Sequence, residues 1–163
     1  MVQESCIKRT MILDGIEISV MANVRGREDV DLAMECGADG IGLFRTEPFF
    51  LAAKHLPSDK EFAEFLLNSL QPARGKRIDV RLLDIGADKN PIYLHLPPEP
   101  DPFLGRRGVR VLREYHDLLD AQLRAMLEVS QQFRIGVLIP MVTTERDVVQ
   151  VVERMHQLAA EMG

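Results

Sequence analysis

The sequence is short of cysteine, with only Cys6 and Cys36 in 163 residues. Two isolated thiols exclude a disulfide framework or a thiolate zinc site, and a reducing cytoplasm is the expected compartment. Cys36 reads as a packed helix residue. No apolar run approaches the ~20 residues that span a bilayer, and the N-terminus lacks the basic start and apolar stretch of a secretory signal. No membrane partner is expected. Basic charge is also in deficit, 20 Lys and Arg against 25 Asp and Glu for a net charge of -5. That balance leaves no broad electrostatic footprint for nucleic acid. Any anion must be held by local groups. Low-complexity tracts and sequence repeats are missing too.

What is present is the composition of a soluble globular domain, 46% hydrophobic and 28% charged, long enough to bury a sizeable core. A polar leader or linker occupies residues 1–15, and the folded unit is expected over residues 16–163. Ile16–Val24 is β-branched and reads as a strand. Arg27–Cys36 places apolar residues among charged ones and is followed by Gly37, the pattern of a helix with a glycine cap. Gly40–Thr46 reads as the second strand, stopping at Arg45, Thr46 and Glu47 before Pro48. Ser58–Leu70 opens with a Ser-Asp-Lys-Glu capping-box pattern and carries Phe62, Phe65, Leu66 and Leu70 at helical spacing. Arg77–Ile85 is the third strand, running into Gly86–Lys89. The proline-dense stretch Asn90–Gly108 is expected to be an ordered loop with a function. Short and long helices are expected at Val109–Arg113 and Leu118–Gln131, a fourth strand at Arg134–Val142, and a last helix from Thr144–Glu145 to about Met162.

Strict strand–helix alternation implies an α/β fold with a parallel sheet. Four units fit either a small open doubly wound sheet or half of a (β/α)8 barrel, and alternation alone does not choose. In both, ligands sit where strands end at their C-terminal side. That directs attention to Asn23, to Arg45-Thr46-Glu47, to Arg81 and Asp84 with the Gly86–Lys89 loop, and to Met141–Thr143.

Arg81 stands between Val80 and Leu82 in an apolar strand, where an unpaired guanidinium costs several kcal/mol to desolvate. Its anion is either internal (Asp84, Asp88 or Glu47) or a ligand. In the second case Arg45 and Arg81, at the ends of adjacent strands, form a clamp for a phosphate or phospho-carboxylate, because guanidinium donates two parallel hydrogen bonds and stays charged. The remaining candidates are weaker. The GIG of Gly40–Gly42 precedes rather than follows an apolar run and lacks the full dinucleotide fingerprint. His55, His95, His116 and His156 are scattered beside polar residues and read as solvated. Arg106, Arg107, Arg110 and Arg113 form either a solvated face or part of an anion site. Asp84 and Asp88 flank a loop and could approach a divalent cation, a weak indication.

Taken together, GLFRTE (Gly42–Glu47), RLLDIGADK (Arg81–Lys89), PFLGRRGVR (Pro102–Arg110) and the IPM of Ile139–Met141 resemble, in order and spacing, the phosphoenolpyruvate-utilising domain of enzyme I of the sugar phosphotransferase system. This is the phosphoenolpyruvate-protein phosphotransferase family, including multiphosphoryl transfer proteins. Phosphoenolpyruvate synthases and pyruvate phosphate dikinases share versions of the first two motifs, but Phe44 and the LDIGADK form favour the enzyme I branch. The resemblance covers about Ile16 to Gly163 and implies the first four β/α units of a phosphoenolpyruvate-binding (β/α)8 TIM barrel. It implies phosphoenolpyruvate as substrate, Mg2+ (magnesium) as cofactor, and phosphoryl transfer to a histidine on a separate domain and on to a phosphocarrier protein. It assigns substrate binding to Arg45 and Arg81. The family's acidic metal ligands, its further arginine and its proton-donating cysteine belong to the second half of the barrel, so no catalytic residue and no metal ligand is assigned here. Neither Cys6 nor Cys36 falls in a matching motif. The expectation is therefore a fragment of the phosphotransferase, inactive alone, or a non-catalytic phosphoenolpyruvate-binding module. Unpaired edges at the first and fourth strands further suggest a homo-oligomer.

Overall fold

The structure, a computed structural model, describes Ile16 and residues 18–163; the leader and Cys6 lie outside the described residues. Four strands, β1 (Met21–Val24), β2 (Gly40–Phe44), β3 (Arg77–Arg81) and β4 (Arg134–Leu138), form one sheet in the order β1-β2-β3-β4. All three pairings are parallel. Between and after them lie α1 (Arg27–Glu35), α2 (Glu47–Ala52), α3 (Asp59–Leu70), α4 (Val109–Leu112), α5 (His116–Ser130) and α6 (Glu145–Met162).

The strand order decides what alternation left open. A doubly wound sheet reverses its strand order at a switch point, whereas a barrel adds each strand beside the last. Here the order is sequential throughout, and helices α1, α3, α5 and α6 contact one another in turn as a single layer. This is the arrangement of the first half of a (β/α)8 barrel.

Period-two alternation sorts the side chains of β3. Ile78 and Val80 are fully buried, while Asp79 and Arg81 on the opposite face are only partly so. The buried face meets the helices through Phe44, Phe62, Leu66, Leu70, Leu112 and Leu123. An aromatic cluster anchors α2 and α3 to β2. Phe49 stacks on Phe65 at 4.6 Å, Phe50 lies 4.9 Å from Phe62, and Phe44 meets Phe65 edge-on at 6.0 Å. Such pairs contribute about 0.5–1.5 kcal/mol each beyond their area burial. On the other face, a Cβ on Gly40 would come within 2.5 Å of the Arg77 carbonyl oxygen. The first glycine of the GIG stretch thus serves close strand packing.

The helix boundaries follow their local chemistry. Ser58 Oγ accepts the Glu61 N–H at 3.3 Å while the Glu61 carboxylate accepts the Ser58 N–H at 2.8 Å, the expected capping box. Thr144 and Asp147 repeat that box at the start of α6.

The expected strands were too long at one or both ends. The ladder of β1 begins at Met21, leaving Ile16, Ile18 and Val20 more than half exposed. The other three stop at Phe44, Arg81 and Leu138 instead of Thr46, Ile85 and Val142. Beyond those points the chain leaves the sheet, and its backbone groups turn to side chains and loops. Glu47–Ala52, unassigned from the sequence, is a helix started by Pro48 in its first turn; proline's fixed φ and missing N–H suit that position. The stretch from Asn90 to Gly108 is irregular, as expected, but anchored by buried Pro91, Leu94 and Leu96. Tyr93 and Tyr115 add hydroxyl hydrogen bonds to the carbonyls of Phe50 and His95. Among the described residues, no helix is long and apolar enough to cross a membrane.

Candidate functional site

The C-terminal ends of β2 and β3 lie side by side, since Phe44 is in register with Val80. The next residues, Arg45 and Arg81, therefore emerge as neighbours. Thr46, fully buried, fixes this junction by donating its hydroxyl to the Arg81 carbonyl at 3.0 Å.

Arg81 has found an internal partner. Its Nη2 donates to Glu47 Oε1 at 2.8 Å, and that same oxygen accepts the Asp84 backbone N–H at 3.0 Å. Of the three carboxylates proposed for it, Glu47 is the close one. Asp84 lies 3.6 Å from Nη1, within ion-pair range but too far for a hydrogen bond. Asp88 instead accepts from Arg107 Nη1 at 2.8 Å. Arg107 Nε also donates to Asp84 at 3.0 Å. The charges alternate along a line: Glu47, Arg81, Asp84, Arg107, Asp88. Arg81 keeps 21% of its side chain exposed.

Arg45 differs. It is partly buried, and neither a hydrogen bond nor an ion pair joins its side chain to any described residue. Its charge reaches Asp29, whose carboxyl lies below the usual range chiefly because it accepts from the Arg25 side chain. Partly burying a guanidinium without a directly bonded anion is costly, and the end of β2 holds a cation with no hydrogen bond or ion pair to any described residue. The Nε atoms of Arg45, Arg81 and Arg110 are all buried without acceptors.

The basic cluster after the long loop divides. Arg106 pairs with Glu114, Arg113 with Asp147, and Arg110 donates to the carbonyls of Phe103 and Leu104. Only Arg107 reaches the carboxylates at the exit of β3, with its guanidinium 4.4 Å from the Phe103 ring centre. Asn23 is exposed at the end of β1, and all four histidines are exposed. Met141 holds a left-handed backbone, φ 59°, against Gly108, where a Cβ would meet its side chain at 3.0 Å. Asp84 and Asp88 both accept from Arg107. Among the described residues no three His, Cys, Asp or Glu gather to hold a metal ion.

One supporting residue carried no signal in the sequence. Gln122, fully buried on α5, accepts the Leu83 N–H at 2.7 Å and donates to the Leu118 carbonyl at 2.9 Å. It holds the backbone between Arg81 and Asp84. Two clefts lie elsewhere. An apolar groove of about 350 Å³ between α5, β4 and α6 is lined by residues such as Met126, Val137 and Met155. A polar cleft of about 520 Å³ contains Arg113 and Arg154, both paired with carboxylates of this chain.

Sequential parallel strands and one helical layer define the first half of a (β/α)8 barrel, with two arginines at its strand ends. A model of the family described as PEP-utilising enzyme, PEP-binding domain, matches residues 2–163. The chain belongs to that family. Multiphosphoryl transfer protein 2 of Escherichia coli (strain K12) is 36% identical over 149 residues, 91% of this chain and 18% of that protein. The phosphoenolpyruvate-protein phosphotransferase of Mycoplasma pneumoniae is 34% identical over 156 residues, 96% of this chain and 27% of the relative. That of Staphylococcus aureus is 39% identical over 135 residues, 83% and 24%. The chain thus spans about a quarter or less of these relatives and matches their phosphoenolpyruvate-binding part.

Proposed function

We propose that residues 16–163 are the substrate-holding first half of the barrel of a phosphoenolpyruvate-protein phosphotransferase, with Arg45 and Arg81 as its clamp. The observation that carries this reading is Arg45, a partly buried cation at a strand end with no hydrogen bond or ion pair to any described residue, beside an Arg81 that keeps 21% of its side chain exposed. Phosphoenolpyruvate offers a phosphate and a carboxylate a few ångströms apart, and two guanidinium groups on neighbouring strands suit such a dianion. Holding it fixes its orientation. It also places positive charge where the transferring group's equatorial oxygens carry theirs, which is most of what a protein contributes to phosphoryl transfer.

The described residues hold the substrate in this reading and do no more. The family resemblance places the phosphoryl-accepting histidine on another domain, which passes the group to a phosphocarrier protein. Magnesium, which would supply charge neutralisation, is held in this reading by the acidic ligands that the family resemblance places in the second half of the barrel.

Titration calorimetry of phosphoenolpyruvate against the chain, with Arg45→Ala and Arg81→Ala, tests the clamp. Each substitution should weaken binding by at least about tenfold, the loss of one charge-assisted hydrogen-bonding group. A folded chain that binds no phosphoenolpyruvate, or variants that bind as well as the parent, would overturn it.

A further inference from the structure

We infer that Glu47 is the positioning residue of the clamp, setting the guanidinium of Arg81 relative to Arg45; the inference rests on the proposed function and deepens it. Glu47 follows Arg45 by two residues, yet its carboxylate faces β3. Its side chain is 7% exposed, and one oxygen takes both the Arg81 Nη2 donor at 2.8 Å and the Asp84 N–H at 3.0 Å. Thr46, the residue between, holds the other end of Arg81 through its backbone carbonyl at 3.0 Å. The two residues after one arginine thus grip the other arginine at its backbone and at its head. Neither cation can shift along its strand without the other, which is what a rigid two-point clamp requires.

Electrostatics alone argues against a carboxylate here. An anion arriving at Arg81 meets the like charge of Glu47, and Glu47 already neutralises part of the guanidinium. If neutralisation were its role, removing the charge would tighten anion binding, and any carboxylate nearby would serve. If orientation is its role, reach matters as well as charge. A charge-assisted bond to a carboxylate is about twice as strong as one to a neutral acceptor, so a neutral amide should hold the guanidinium less firmly. Two substitutions separate these cases. Glu47→Gln keeps the shape and removes the charge. Glu47→Asp keeps the charge and shortens the side chain by one methylene, so that one oxygen no longer serves Arg81 and Asp84 together.

Both variants should be compared with the parent chain by phosphoenolpyruvate titration, at a temperature where circular dichroism shows all three folded. Orientation predicts binding weaker by about tenfold in each, the loss of one strong bond's worth of alignment. Tighter binding by Glu47→Gln, or unchanged binding by Glu47→Asp, overturns the inference. A second readout is independent of substrate. The Arg81 Nε is buried, so its N–H should give a separate, slowly exchanging signal in nitrogen-proton correlation spectra, identified by its loss in Arg81→Lys. In Glu47→Gln and Glu47→Asp that signal should broaden or merge with those of exposed arginines. If the parent binds no phosphoenolpyruvate, the proposed function fails and this spectrum alone decides whether Glu47 positions Arg81. An unchanged signal in both variants overturns the positioning role.

Discussion

Gln122 on α5 accepts the backbone N–H of Leu83 at 2.7 Å, so a fully buried helix side chain replaces the sheet partner that β3 loses at its end. A strand leaving a sheet must find other acceptors for its N–H groups. This bond lies between Arg81 and Asp84 in the chain and fixes the path on which both depend.

Replacing Gln122 with leucine should leave the Leu83 amide buried and unpaired, at a cost of about 1–3 kcal/mol. Urea unfolding should show a lower midpoint with little change in slope. A midpoint equal to the parent's would mean that the amide finds another acceptor.

Asp147 makes acid stability testable. Its carboxyl, buried at the start of α6, is held far below the usual range, first by the Thr143 backbone N–H and then by Thr144, against the opposing effect of burial. Arg113 also donates to it at 2.9 Å. A depressed folded-state pKa gives stability that is present above the unfolded value, near 4, and is lost as pH falls toward the folded value. Melting temperature should therefore drop below about pH 4, and Asp147→Asn should flatten that dependence while costing about 1–2 kcal/mol of cap stability at neutral pH. An equally steep acid limb in the variant would assign it to other carboxylates.

Tyr93 acts at the opposite limb. Burial pushes its hydroxyl up to about 12, and the hydroxyl donates to the Phe50 carbonyl at 2.9 Å. A raised folded-state value gives stability that is complete below the unfolded pKa, about 10, and is lost as pH rises through the folded one. Ultraviolet titration should show one tyrosine ionising late, and Tyr93→Phe should remove that step and cost about 1 kcal/mol by loosening the loop from α2.

Gly40→Ala should destabilise the sheet, because the added methyl would lie 2.5 Å from the Arg77 carbonyl oxygen, a backbone atom that cannot move alone. Overpacking of this kind costs about 1–3 kcal/mol. Thermal unfolding reads the effect, and a shift of less than a degree or two would show that β2 and β3 separate easily.

Much of the fold was written in local patterns. The Ser58–Glu61 capping box, the 3.6-residue spacing of Phe62, Leu66 and Leu70, and the buried run at Ile78 and Val80 each need only neighbours in sequence. The ends of the strands did not follow, because a residue such as Leu83 or Ile139 is apolar whether or not its backbone is paired. The α2 helix was hidden by Pro48, which marks a break and a helix start alike.

The sequence by itself determined the α/β alternation, the family through its four ordered motifs, and Arg45 and Arg81 as the residues to examine. The tertiary structure decided the sheet order β1-β2-β3-β4, and with it half a barrel rather than a doubly wound sheet. It decided which carboxylate answers Arg81, choosing Glu47, 34 positions away, over Asp84, three away. It also found Gln122, whose hydrogen bond to Leu83 spans 39 positions. The reason is physical. Helix periods and caps are set by bonds that span about four residues, whereas the partner of a buried charge or amide is set by which chain ends the packing brings together.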